Sequence, residues 1–144
     1  MDTAIAEGIR LIVERQWFEA HEVLEVPWRA ADGQLKCCLH ALIQAAVSLE
    51  HLRRGNPRGA WGQWGKARAK MDTLPAVMLG VAVADWRDAL GEFYVRIDID
   101  ERSRRVVARQ SMDGLPPLPP VDDWPLPVVM EAGLDALSYR APTE

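Results

Sequence analysis

Apolar residues recur at helical spacing from the start of the chain. Ile5, Ile9, Ile12 and Val13 share one face of a helix predicted over residues 3–15, with Glu7, Arg10 and Glu14 opposite. A second helix is predicted from Trp17 toward Ala30. Pro27 lies inside it, has no N–H to donate, and predicts a kink or an end nearby. Asp32-Gly33 is a turn signal, and a longer helix follows over residues 34–54. Its apolar positions cover most of the circumference, which predicts the central, most buried helix.

The stretch GNPRGA punctuates the chain sharply. Gly55 suits the left-handed position that ends a helix, Asn56 an N-cap, and Pro57 the first helical position. A tight antiparallel helical hairpin is therefore expected. The new helix carries Ala60, Trp61, Trp64, Ala67, Arg68 and Met71 along a stripe and ends near Leu74-Pro75. That stripe reads as core or dimer packing rather than as a stacking platform for a ligand. Gly59, Gly62 and Gly65 lower its intrinsic stability, and such small residues either admit a close neighbour or are merely tolerated. Residues 82–94 read as a further short helix.

The period then changes. Val95, Ile97 and Ile99 alternate with Arg96, Asp98 and Asp100, which predicts a strand, and residues 105–110 predict its hairpin partner. Residues 114–127 hold six prolines and must be extended, with Leu118, Val121 and Trp124 expected to pack on the body. A last short helix is predicted from residue 128. The fold class is thus all-α: a four- to five-helix bundle with a central helical hairpin, a small β-hairpin and an extended C-terminal tail. The domain reading is one helical domain over residues 1–110 and a proline-rich acidic tail over 111–144.

Composition adds little to this and removes several classes. The chain has 144 residues, 49% hydrophobic and 26% charged, ordinary for one globular domain. No apolar run is long enough to span a bilayer, and the first residues lack the basic start of a signal peptide. Cys37 and Cys38 are adjacent, about 100° apart on a helix, so reduced thiols in a cytoplasmic protein are expected. The net charge of −4 is uneven: residues 111–144 carry six acids against Arg140, whereas residues 53–70 carry six bases and no acid. The pI of 5.4 argues against general nucleic-acid binding.

Candidate chemistry sits in the stretch WFEAHEVLEVPW. Phe18, His21, Glu25 and Trp28 share a helical face, with Glu22 flanking Glu25. On the long helix Cys37, His40, Gln44 and His51 form a second stripe. If the two stripes meet, His21, Glu25, Gln44 and His51 cluster, edged by Arg54 and Asn56. Three uses compete. The cluster can bind a small ligand or protein partner. It can hold a divalent transition metal through His21, Glu25 and His51 in a hydrolase-like enzyme, although neither an H-E-x-x-H nor a paired E-x-x-H pattern is present. It can also be a buried hydrogen-bonded network in a structural or dimerising module. Arg53, Arg54 and Arg58 around the Asn56 helix start form an anion-binding corner or a solvated surface, with one arginine reaching Glu22 or Glu25.

The two segments together resemble the family of domain of unknown function 309. The resemblance rests on Phe18, His21, Glu22, Glu25 and Trp28 in the first segment. In the second it rests on Leu42, Ile43, Gln44, His51, Arg54, Gly55, Asn56, Gly59 and Ala60. It covers residues 8–72 and departs from the family's pattern at Pro27 and Glu50. It implies a small all-helical bacterial or archaeal protein and brings no established activity. Homo-oligomerisation is compatible with it.

Overall fold

The computed structural model describes residues 2–130. Among them are six helices: α1 (Thr3–Val13), α2 (Trp17–Ala30), α3 (Gly33–Arg53), α4 (Pro57–Met71), α5 (Val83–Arg96) and α6 (Ile99–Ala108). A 3-10 turn at Val121–Asp123 follows, and β-pairing is limited to isolated bridges. None of these helices is long and apolar enough to cross a membrane.

Local chemistry sets several of the helix ends. The Asp2 carboxylate caps α1, accepting from the Ala4 and Ile5 N–H groups at 2.7 and 3.2 Å. α2 runs past Pro27 and ends three residues later at Ala30, close enough that little helix is lost. Gly55 takes a φ of +79°, as the sequence predicted for the α3–α4 turn. Asn56 caps α4 by accepting from Gly59 N at 3.0 Å.

α3 packs against α2 on one side and α4 on the other. It therefore buries residues around most of its circumference, including Leu39, Leu42, Ala45, Ala46 and Leu49. Its contact with α4 is antiparallel and carries a buried hydrogen-bond chain. The Ser48 hydroxyl donates to the Ala60 carbonyl at 2.7 Å, so the Tyr94 hydroxyl, 2.6 Å away, must donate to Ser48. Burial pushes the Tyr94 pKa up, and the bond to Ser48 opposes this only in part.

The helix count is six rather than four to five, and the strand pair predicted over residues 95–110 is a helical break. α5 continues to Arg96, and Asp98 then takes a left-handed φ of 56° before α6 begins. A short polar side chain tolerates that conformation, so the chain turns without a glycine. Ile97 and Ile99 are both buried at this corner, whereas Val95 is 81% exposed. The apparent alternation came from two helix ends meeting. α6 is held by Asp100–Arg104 and Glu101–Arg105 ion pairs at 2.8 and 2.9 Å, spaced i, i+4.

Residues 111–130 run back over the helices. Trp124 is buried and stacks on Trp17, with ring centroids 5.8 Å apart and planes 7° from parallel. Arg15 donates to the Val121 and Asp122 carbonyls at 3.1 and 2.6 Å. The Trp86 indole N–H donates to the Pro125 carbonyl at 3.2 Å. Arg102, only 8% exposed, donates to the Ile97 carbonyl at 2.5 Å and to the Pro116 carbonyl. The last helix predicted from the sequence falls almost wholly outside the described residues.

Candidate functional site

His21 and Glu25 are one turn apart on α2, with His21 Nε2 3.3 Å from Glu25 Oε2. Their side chains are 29% and 33% exposed, so the pair faces a wet surface and is not a sealed clamp. The other Glu25 oxygen accepts from Arg29 Nη2 at 3.2 Å. Glu22 is exposed and does not line the cleft beside this pair.

That cleft, about 390 Å³, lies where α2, α3 and α4 meet. α2 contributes His21, Glu25 and Trp28; α3 contributes His40, Ile43, Gln44 and Val47; α4 contributes Gln63 and Lys66. Trp28 packs against His40, with centroids 4.7 Å apart, and Lys36 Nζ lies 5.0 Å from the Trp28 ring centre. The Trp28 indole N–H is buried with no hydrogen-bond partner among the described residues. Gln44 is 7% exposed, and its Oε1 accepts from Lys70 Nζ at 2.8 Å. Burial lowers the His40 pKa below the usual imidazole value, and the charges of Lys70, Lys36 and Lys66 lower it further.

His51 does not join this group. Its ring sits at the start of α4, where Nδ1 accepts from Asn56 Nδ2 at 3.2 Å when the proton is on Nε2. Gly59 makes room for this contact. A Cβ there would fall 2.6 Å from Asn56 Nδ2 and 2.8 Å from His51 Cγ. Of the three glycines noted in α4, Gly62 and Gly65 have open space around them. The expected trio of His21, Glu25 and His51 is therefore split. Among the described residues no three His, Cys, Asp or Glu side chains gather in a way that could hold a metal ion.

Arg54 also turns elsewhere. Arg53 and Arg54 both bind Glu50, Arg53 at 3.1 and 2.5 Å, and Arg54 covers the Phe18 ring at 5.5 Å. The acid reached by the arginine corner is thus Glu50, on the same helix, rather than Glu22 or Glu25. Burial raises the Glu50 pKa, but the two arginines outweigh it and hold the carboxyl below its ordinary value. A carboxylate depressed in this way adds stability above its unfolded pKa, and loses it as pH falls through the folded value. Glu50→Gln is expected to lower stability at pH 7 by about 1 kcal/mol, since the arginines are largely solvated. The gap from wild type should begin to narrow below about pH 4 and close as pH falls through the folded value. Urea midpoints at pH 7 and pH 3 check this; an equal gap at both would remove the charge from the explanation.

A larger groove, about 590 Å³, opens between α4 and α5. Arg87 bridges Asp72 and Asp88 there at 3.7 and 3.0 Å, whereas Arg68, Glu92 and Arg96 in the same groove are in no ion pair among the described residues. What sets the α2–α3–α4 cleft apart is the orphaned Trp28 indole N–H, beside a Lys66 ammonium with no carboxylate partner among the described residues.

The two helical segments that frame the cleft can be compared with known families. The model described as Domain of unknown function (DUF309) matches residues 5–63. Over that segment the chain is similar to the DUF309 family. The match is displaced from the expected 8–72 and spans α1, α2, α3 and the first part of α4. The DUF309 segment supplies most of the cleft wall, up to Gln63, while Lys66 and Lys70 lie just beyond it. No curated protein and no solved structure is matched by the chain.

His40, Gln63 and Lys66 were not singled out as site residues from the sequence. His40 shared a stripe with Gln44, and Gln63, Lys66 and Lys70 recur at spacings of three and four. The signal was present, but which face of α4 meets α2 and α3 is a packing result.

Proposed function

We propose that this protein binds a small ligand in the cleft between α2, α3 and α4. The observation that carries this is the convergence of His21, His40, Gln44, Gln63 and Lys66 on one open space with Trp28 as an apolar wall. Small-molecule sites combine such a wall with a few convergent polar groups, and volumes of about 300–1,000 Å³ are usual. The partial exposure of His21 and Glu25 weighs against a purely structural network. The separation of His51 weighs against a three-ligand metal hydrolase.

A fragment screen by two-dimensional NMR on the full chain tests the proposal. Binding fragments should move the Trp28 indole, Gln44 amide and His40 resonances together. Val47→Phe, which narrows the cleft, should weaken those hits at least about tenfold while the protein stays folded. Hits that gather instead at the groove beside Ile9, Val13 and Leu79 would defeat it.

A further inference from the structure

The uncommitted charge in the cleft is basic. Among the described residues Glu25 is its one lining carboxylate, and His21 and Arg29 on the same helix already engage it. Lys36, Lys66 and Lys70 all lie near enough to depress His40, yet none is in an ion pair among the described residues. Lys70 is occupied by Gln44, and this contact has a directional consequence. An ammonium can only donate, so Gln44 must give it the carbonyl oxygen. The Gln44 amide N–H₂ has no partner among the described residues, and the side chain lines the cleft. A nearly buried amide donor and an uncommitted Lys66 ammonium thus border one space, with His40 on the same α3 wall as Gln44. Trp28, Ile43 and Val47 supply apolar surface beside these donors.

We infer that the cleft takes a small organic oxyanion, a carboxylate or phosphate ester on an apolar body, held by Lys66, the Gln44 amide and His40. This rests on the ligand-binding role proposed above and names its chemistry. Charge-assisted bonds to an oxyanion are about twice as strong as neutral ones, so a cationic or neutral isostere has less to gain here. The groups facing His40 are Lys36 on its own helix, Lys66 and Lys70 from α4, and Trp28 from α2, with His21 and Glu25 across the cleft. Only Glu25 among them is acidic. A bound anion would offset the lysines and favour the imidazolium. Binding would then take up a proton and tighten as pH falls toward the lowered His40 pKa.

Four matched probes separate the outcomes: benzoate, phenyl phosphate, benzamide and benzylamine, titrated at constant ionic strength into the full chain. Benzoate or phenyl phosphate, or both, should shift Trp28, His40 and Gln44 and bind at least about tenfold tighter than the other two; the ratio between the two anions distinguishes carboxylate from phosphate. Lys66→Met, at an exposed position, should remove most of that preference without changing the fold. The His40 pKa should rise on saturation with benzoate. Equal binding of benzamide or benzylamine in the cleft would overturn the oxyanion inference and leave the ligand-binding proposal standing. No response in the cleft to any probe, alongside a fragment screen with no hits there, would overturn both.

Discussion

Replacing Trp17 with alanine is expected to destabilise the protein by about 3–5 kcal/mol, the usual cost of emptying a fully buried tryptophan site. Trp17 opens α2, is 0% exposed, and is stacked on Trp124, which in turn packs on Phe93 at 5.6 Å. The loss therefore strikes the α2 core and the returning segment together. Small domains have total stabilities of about 5–15 kcal/mol, so this substitution removes a large fraction. One term acts in the opposite direction. The Trp17 indole N–H is buried without a hydrogen-bond partner among the described residues, and an orphaned donor costs about 1–3 kcal/mol. Trp17→Phe keeps an aromatic face against Trp124 and deletes the orphan, so it should cost much less than Trp17→Ala. Urea denaturation of both variants checks the pair. An alanine cost below about 1 kcal/mol, or a phenylalanine cost equal to it, would contradict the buried stack.

What the sequence revealed follows the physics that acts locally. α1 to α5 were visible because a 3.6-residue period and its punctuation, such as Gly55-Asn56-Pro57, depend on neighbouring residues alone. α6 was missed because Val95 to Asp100 alternate over a helix break, and a left-handed Asp98 has no strong composition signal. The Asp100–Arg104 and Glu101–Arg105 spacings were the available warning. The same division holds at the site. His21 and Glu25 were legible as a pair because they lie i, i+4 on one helix. Placing His51 with them required knowing how far α3 slides along α2 and which way its last turn faces. The approach of Asn56 past Gly59 decided that instead. His40 and Lys66 come to line one cleft only because α4 closes it.

Gly8→Ala is expected to destabilise by about 1–3 kcal/mol, although alanine is the better helix former by about 1 kcal/mol. Gly8 lies in the middle of α1 and faces α2. A Cβ there would fall 2.3 Å from Leu24 Cγ and 2.4 Å from its Cδ2, while carbon atoms prefer about 3.5–4.0 Å. Leu24 is 0% exposed, so its side chain has no solvent to move into. Overlap of more than about 1 Å in a close-packed interior outweighs the helix-propensity gain. Leu24→Ala alone should cost about 2–5 kcal/mol through the cavity it leaves. The added methyl at position 8 would fill part of that cavity, and removal of Leu24 Cγ and Cδ atoms would relieve the overlap. The double variant should thus be more stable than the sum of the singles by at least about 1 kcal/mol, a coupling typical of residues in direct contact. Melting and urea curves for the four proteins complete the cycle. A Gly8→Ala variant more stable than wild type, or strictly additive costs, would mean that α1 and α2 do not meet at Gly8 and Leu24.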